Sequence, residues 1–166
     1  MKLVRLSRYL LKRAERVMES RKPDFLIGPQ GDPYMQRWWL IPRNRVFNIY
    51  LHRILHDDDD RALHDHPWPS VSIMLKGKLG ELYRGRDGQT HVRKIQPGRI
   101  IWRGPWFAHR LTLWPEFSGL MQPFAVTIFI TGPRVREWGF HCPKGWRHWK
   151  EFTAPADRGQ IGRGCD

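Results

Sequence analysis

The chain has 166 residues, two cysteines and a formal net charge of +13 at pH 7. This length suits one domain, which buries roughly 70% of its unfolded surface and needs no cross-links to fold. Cys142 and Cys165 are too few for a disulfide-rich scaffold, so we expect reduced thiols in a cytoplasmic protein. The longest uncharged apolar run, Pro123 to Gly132, is too short to span a membrane as a helix. Basic residues near the first methionine argue against a secretory signal.

The charge is concentrated at the beginning of the chain, where residues 1–22 hold eight of the 29 lysines and arginines against two glutamates. Apolar residues recur there at three- and four-residue steps. This spacing predicts an amphipathic helix from Lys2 to about Ser20 that packs its apolar stripe on the main body. Its basic face could meet an anionic partner such as RNA, DNA or a lipid surface. We favour an ordinary solvated face, because no aromatic–basic RNA signature accompanies it.

A helix-hostile stretch, Pro23 to Pro33, follows the helix. Residues 38–152 are expected to form a barrel, and residues 153–166 a loose tail. Val46 to Leu55 alternates between an apolar face and a polar-capable face that includes His52, which predicts a strand. His52 has two interpretations: it lines a cavity, or it is a half-buried strand residue with a satisfied hydrogen bond. We favour the second.

Asp57 to Asp60 is a run of four carboxylates. Clustered carboxylate oxygens are typical of calcium sites, but this run lacks the alternate ligand positions and the glycine of a calcium-binding loop. We therefore expect a solvated turn rather than a metal site.

From Ser70 onward, short apolar segments bounded by turn residues follow one another about every 8–12 residues, without an intervening helical pattern. This spacing predicts an antiparallel sandwich or barrel. Trp138 to Phe152 is aromatic-rich and is expected to supply the last strands and a cover. The nine Trp, eight Phe and four Tyr residues suggest either an apolar lining or the face of a homodimer. The predicted strands cover residues 70–75, 79–83, 90–95, 99–103, 109–114 and 124–131.

Two histidines, His64 and His66, are separated by a single residue. Because side chains alternate between the two faces of a strand, both histidines point the same way and lie close enough to hold one metal ion. Gly77 stands eleven residues after His66, at a hairpin. A second stretch begins at Gly98, passes through a proline-marked turn and ends in His109.

This order of motifs resembles the two motifs of the cupin superfamily, over roughly Val46 to Thr131. The resemblance implies an all-β fold, a double-stranded β-helix or jelly-roll barrel, here with an N-terminal amphipathic helix. It also implies one divalent metal ion held by His64, His66 and His109. Iron is the most typical ion, and zinc, nickel or manganese would also suit three imidazoles. Three segments are further similar to small bacterial or phage cupins: residues 51–53, 64–68 and 136–143.

The sequence departs from the family pattern at one position, because Ser70 stands where the motif has a glutamate, four residues after His66. Glu81 is the nearest carboxylate that could compensate if it faces inward, although we favour a surface charge. His141 or Cys142 could reach the pocket from the end of the chain, although we favour a packing role. The candidate pocket residues are therefore His52, Ser70, Glu81, His141 and Cys142.

The resemblance implies a mononuclear metal enzyme, dioxygenase-like, that acts on a small molecule. One alternative is a non-catalytic cupin that binds a small ligand in the barrel and nucleic acid through the basic helix. Another is a metal-independent isomerase, in which a histidine with an acidic partner transfers a proton. The sequence offers only Asp65 as such a partner, and alternation places it on the face opposite the metal-ligating histidines.

Overall fold

The computed structural model describes residues 2–28, 31–57, 62–114, 124–154 and 160–166. It begins with helix α1 (Lys2–Ser20) and continues with short strands and one short helix, α2 (Trp149–Phe152). The six strands predicted from Ser70 onward are confirmed, and their ends differ from the prediction by at most one residue. The strands are β1 (Phe25–Ile27), β2 (Met35–Trp39), β3 (Asn48–Ile54), β4 (Leu63–His64), β5 (Ser70–Lys76), β6 (Leu79–Arg84), β7 (Thr90–Ile95), β8 (Ile100–Arg103), β9 (His109–Leu113), β10 (Ala125–Thr131), β11 (Gly139–Cys142), β12 (Gly145–His148), β13 (Thr153–Ala154) and β14 (Gln160–Ile161).

Most strands form two antiparallel sheets of six strands each. The first sheet has the order β1-β2-β3-β10-β5-β8, and the second has the order β12-β11-β4-β9-β6-β7. Apolar side chains from both sheets meet in one buried cluster, so the two sheets enclose a common core. This arrangement confirms the predicted all-β fold. The buried members of the cluster are Met35, Ile54, Met74, Leu79, Ile95, Ile101 and Ala125.

The hairpin between β5 and β6 turns at Gly77, which has a φ of 76°. A Cβ atom at this position would lie 2.2 Å from the carbonyl oxygen of Phe124, at the entry to β10. Both the positive φ and the close approach of the neighbouring backbone therefore require glycine here. The turn brings β6 into the second sheet, opposite β5 in the first.

Helix α1 packs on the outer face of the first sheet, as predicted. Ala14 is buried there, and the other residues of the apolar stripe pack around it. Their partners on the sheet include Trp38, Leu51 and Val126, which are 0–2% exposed. The helix is thus held by apolar burial, which contributes roughly 1.5–3 kcal/mol for each large side chain removed from water. Neither α1 nor any other helix in the described residues is long and apolar enough to cross a membrane.

The sheets begin earlier in the chain than residue 38, where we expected the barrel to start. β1 lies within the stretch expected to be a helix-hostile linker, and it pairs with β2 in an antiparallel register that joins Phe25 to Arg37. Pro23 and Gly28 flank β1 rather than interrupt it, so the same residues that exclude a helix are compatible with a three-residue edge strand.

The two cysteines form a disulfide, Cys142–Cys165, across a sequence separation of 23 residues. The expectation of reduced thiols is wrong, and it no longer supports a cytoplasmic location. A cross-link of this span stabilises a fold by roughly 3 kcal/mol, mainly by restricting the unfolded chain. The described part of the expected loose tail is attached: β14 pairs with β13, and Arg147 Nη1 donates to the carbonyl oxygen of Gly164 at 2.8 Å. Residues 155–159 lie outside the described chain.

Candidate metal centre

Three histidines converge on the inner face of the second sheet. His64 on β4 is the direct cross-strand partner of His109 on β9, and His66 follows two residues after His64. One ring nitrogen from each of the three lies within 4.8 Å of the other two. His66 Nε2 and His109 Nε2 are 2.9 Å apart. Alternation placed His64 and His66 on one side of a strand, the family resemblance added His109, and the structure brings the three together.

The chain after β4 is held so that His66 points to the same side as His64. The His66 amide donates to the carbonyl oxygen of Pro105 at 3.3 Å, which ties the His-x-His segment to the turn before β9. The ring centroids of the three histidines are 5.1–5.2 Å apart. Asp65, between the two histidines, points to the opposite side and is 1% exposed.

The electrostatic surroundings keep His66 and His109 neutral. Burial, opposed by a hydrogen bond to Glu81 and reinforced by the charge of Arg103, lowers the pKa of His109 to about 3. Burial and the neighbouring His109 and His64 rings hold the pKa of His66 well below its ordinary value. Neutral imidazole is the form that binds a metal ion, so these groups have lone pairs available near neutral pH.

Glu81 is fully buried behind His109, and the prediction of a surface charge is wrong. Its Oε1 lies 2.7 Å from His109 Nδ1 and accepts a hydrogen bond from Arg103 Nε at 2.6 Å, while Arg93 Nε donates to Oε2. Burial raises the pKa of Glu81, but the hydrogen bond from His109 and the charge of Arg103 outweigh it and lower the pKa to about 2. The carboxylate is therefore placed to accept the Nδ1 proton of His109, which leaves Nε2 on the side of the other two histidines.

Arg103 was not predicted from the sequence to be a site residue. Its side chain lies on the inner face of the first sheet. It is 2% exposed, and its Nη1 donates to Ser72 Oγ at 2.7 Å. Ser70 is its direct cross-strand partner and is also buried, but it does not line the cavity. The Ser70 hydroxyl has no hydrogen-bond partner among the described residues. The residue at the family's glutamate position therefore does not join the histidines, and the nearest carboxylate, Glu81, supports a histidine from behind.

A cavity of about 80 Å³ lies between the histidines and the first sheet. Seven apolar and nine polar side chains line it. The apolar lining residues are Met35, Ile54, Met74, Leu79, Ile95, Leu111 and Phe129, and the polar ones are Tyr34, Arg37, His52, Ser72, His64, His66, Arg103, His109 and Thr127.

His52 follows the interpretation that was not favoured, because it is buried and faces the cavity, although its hydrogen bond is satisfied as expected. It lines the cavity, and its Nε2 accepts a hydrogen bond from Arg37 Nε at 2.9 Å. Arg37, His52 and Thr127 form one row across β2, β3 and β10, so their side chains share the inner face of the first sheet. Burial and the charge of Arg37 hold the pKa of His52 well below its ordinary value, so the ring is neutral. Burial also lowers the pKa of Arg37.

His141 and Cys142 do not line the cavity. Cys142 is part of the disulfide, and His141 Nε2 lies 3.2 Å from Asp65 Oδ2 on the other side of β4. Of the acidic run expected to be a solvated turn, only Asp57 lies in the described chain. It is exposed, and its Oδ1 accepts from the Leu113 amide at 2.6 Å. Residues 58–60 lie outside the described residues.

Glu81 could have been found from a local signal, because Leu79, Glu81 and Tyr83 alternate onto one face of β6 and Leu79 is a core residue. Arg37 could not, because the sequence around it, Gln36-Arg37-Trp38-Trp39, has no pattern that separates an inward from an outward face. Its position follows from its pairing with His52.

No family model and no curated protein matches the sequence. Several solved structures share the fold at low identity. The Fe(II) enzyme HppE in complex with its substrate is 14% identical with a TM-score of 0.51, covering 68% of this chain and 57% of HppE. The DMSP lyase DddQ of Ruegeria pomeroyi is 14% identical with a TM-score of 0.51, covering 72% and 57%. Oxalate decarboxylase of Bacillus subtilis, which has Mn(II) centres, is 13% identical with a TM-score of 0.50, covering 74% and 30%.

The chain therefore spans little more than half of the first two proteins and less than a third of the decarboxylase. At these identities the similarity concerns the fold, and the activity of each protein is its own.

Proposed function

We propose that this chain is a cupin and a mononuclear metal enzyme that acts on a small molecule, and its similarity in fold to HppE and DddQ supports the first part. His64, His66 and His109 would hold one divalent ion, with iron(II) as the first choice and a dioxygenase-like reaction as the leading chemistry. The observation that carries the proposal is the convergence of three imidazoles beside a cavity, with Glu81 next to one of them.

The donor set fits a divalent metal ion. Three imidazole nitrogens suit iron, manganese, nickel and zinc, and a three-residue set leaves coordination positions for water or substrate, as in catalytic rather than structural sites. Fe(II) and Mn(II) occur in two proteins that share the fold, which supports a divalent ion. When bound, such an ion would polarise an oxygen-bearing ligand as a Lewis acid or take part in redox chemistry.

The protein's own residues hold the site in place. Glu81 accepts the Nδ1 proton of His109, and Arg103 and Arg93 fix Glu81 from two directions. Such supporting hydrogen bonds set the tautomer and the orientation of a ligand histidine. Met74, Leu79 and their apolar neighbours line part of the cavity, and apolar surroundings strengthen the polar interactions beside them.

Metal analysis tests this proposal. We expect the full chain, purified without added metal and then loaded with Fe(II) anaerobically, to retain one ion per chain after gel filtration. His64→Ala and His109→Ala should retain none, whereas His91→Ala should behave as wild type because His91 is exposed and pairs with Asp87. A folded wild-type chain that takes up no divalent ion would overturn the proposal.

One observation favours a second candidate, a metal-independent isomerase. The contact between Glu81 and His109 is the histidine–acid pair that such an enzyme needs, and the sequence had suggested only Asp65 for that role. The two candidates differ in their response to chelation. Turnover that survives removal of all metal and is lost in His109→Gln would favour the isomerase, and turnover that stops on chelation and returns with Fe(II) would favour the metal enzyme.

The basic helix supports a further proposal, nucleic-acid binding by the surface of α1. Arg8, Lys12, Arg13 and Arg16 are exposed, while the apolar stripe of the helix is packed against the sheet. Charge reversal tests this better than deletion, since deletion would uncover the packed sheet. We expect salt-sensitive binding to duplex DNA or RNA that is lost in a Lys12→Glu, Arg16→Glu variant. Absence of binding at low salt would contradict nucleic-acid binding by α1.

A further inference from the structure

Arg37 lies on the wall of the cavity opposite the three histidines. It belongs to β2 in the first sheet, whereas His64 and His109 belong to the second sheet, and all three side chains line the same space. The sequence did not indicate a role for Arg37, and the proposed metal centre does not use it.

The charge of Arg37 has no acidic partner in the described chain. Its Nε donates to His52 Nε2 at 2.9 Å, and its guanidinium carbon lies 5.0 Å from the centroid of the Tyr50 ring. Both contacts hold the side chain in place, but a neutral imidazole and an aromatic ring do not neutralise a cation. No described Asp or Glu forms a hydrogen bond or an ion pair with Arg37.

Arg103, the other arginine that lines the cavity, is paired with an acid. Its Nε lies 2.6 Å from Glu81 Oε1, and its Nη1 is bonded to Ser72. No Asp or Glu is among the described residues that line the cavity. The cavity therefore carries one compensated and one uncompensated cation.

Arg37 is half-buried, and an arginine partly removed from water without an acid costs free energy unless something else supplies negative charge. In the described chain Arg37 makes one side-chain hydrogen bond, from Nε to His52. Its two terminal nitrogens form no hydrogen bond to a described residue. A guanidinium group held in this way presents its planar fork of donors, which matches two oxygens of a carboxylate or a phosphonate. The position and charge of this group thus suit a small oxyanion.

We propose that the ligand of this cavity is a small molecule that carries an oxyanion, a carboxylate or a phosphonate, bound by Arg37 while its other end faces the three histidines. The cavity volume of about 80 Å³ favours a small ligand. That the other end of the ligand faces the histidines rests on the proposed metal centre. Anion binding at Arg37 does not depend on the metal centre.

Binding of matched small ligands tests the proposal. Glycolate, its neutral analogue glycolamide and methylphosphonate are titrated into the full chain by calorimetry and by NMR, both metal-free and loaded with Fe(II) under anaerobic conditions. We expect at least one of the two anions to bind, and glycolamide to bind at least about 10-fold more weakly than glycolate if the carboxylate is the preferred group. The anion that binds more tightly identifies the class.

Variants separate the arginine from the rest of the site. Arg37→Gln should weaken binding of the preferred anion about 10- to 100-fold, and Arg37→Lys should weaken it less, because the charge remains while the fork is lost. Arg86→Gln removes the same charge from an exposed turn between β6 and β7 and should bind as wild type. Circular dichroism and thermal melting verify that each variant is folded.

The outcomes distinguish this inference from the metal centre. Anion binding that depends on Arg37 in the metal-free chain supports the inference even if no metal is taken up. The inference is overturned if metal binds but neither anion does. It is also overturned if glycolamide binds as tightly as both anions, or if Arg37→Gln binds the anions as tightly as wild type. In each case the metal centre stands.

Discussion

Two buried carboxylates, Glu81 and Asp65, lie on opposite sides of the second sheet and have similar partners. Glu81 contacts His109 and Arg103, and Asp65 contacts His141 and Arg136 at 3.2 and 2.9 Å. Both residues are at most 1% exposed. In both, burial raises the pKa, but hydrogen bonds from the histidine and interaction with the arginine outweigh it and lower the pKa.

The two clusters differ in what surrounds the histidine. The free side of His109 faces two more histidines and a cavity, so the Glu81 cluster supports a binding site. Asp65 also accepts hydrogen bonds from the Gly139 amide and from Trp146 Nε1, both at 2.9 Å, so its cluster ties the hairpin of β11 and β12 to the segment after β4. The same set of side chains thus orients a ligand histidine on one side of the sheet and clamps the chain on the other.

The largest expected effect is on the clamp. Asp65→Ala removes the acceptor for an arginine, a histidine, an indole and an amide, and breaking a buried ion pair in this way costs about 3–5 kcal/mol of unfolding free energy. Urea unfolding measures the loss. Metal uptake by the folded fraction should be unchanged. If the folded fraction takes up less metal, the Asp65 cluster also supports the binding site, and the two clusters do not have separate roles.

The disulfide reinforces the same end of the molecule. Cys142→Ser with Cys165→Ser should lower the free energy of unfolding by roughly 3 kcal/mol, because the unfolded chain regains the freedom of the closed loop. Thermal and urea unfolding of the oxidised wild type, the reduced wild type and the double variant provide the comparison. Equal stability of all three would mean that the cross-link does not stabilise the fold, and metal uptake again should not change.

The binding site should respond to the other carboxylate. In Glu81→Gln, His109 loses its charged acceptor, and metal affinity should fall 10- to 100-fold, the usual effect of removing a carboxylate that supports a ligand histidine. Competition with a chelator measures the affinity, and Asp65→Asn is the matched control, with expected wild-type affinity. If Glu81→Gln binds metal as tightly as wild type, Glu81 does not orient His109.

The smallest expected effects come from single hydrogen bonds in the two clusters. Ser72→Ala deletes the bond from Arg103 Nη1, and Trp146→Phe deletes the bond to Asp65. Each should cost about 1 kcal/mol of unfolding free energy. Only Ser72→Ala should also weaken metal binding, measurably but less than Glu81→Gln. Weaker metal binding in Trp146→Phe but not in Ser72→Ala would show that the clusters are coupled through the sheet.

Much of the fold was predictable because its signals are local. Alternation along each strand and turn residues between strands located the strands from Ser70 to Thr131, and three- and four-residue spacing located α1. The same alternation placed His64 and His66 on one side and Asp65 on the other. A period of two is a property of a strand by itself, so it can be recognised without knowing which strand is the neighbour.

The partners of these side chains depended on the tertiary structure. Glu81 meets arginines 12 and 22 residues away, Cys142 meets Cys165 across 23 residues, and Arg37 reaches the cavity only because β2 pairs with β3. Whether an inward charge is compensated depends on strands that are distant in sequence, because register and sheet order decide which side chains meet. By itself, the sequence determined the strands from Ser70 to Thr131 and, with the family resemblance, the three histidines. Only the tertiary structure decided which carboxylate supports them, which histidines remain outside, and which arginine faces them without an acid.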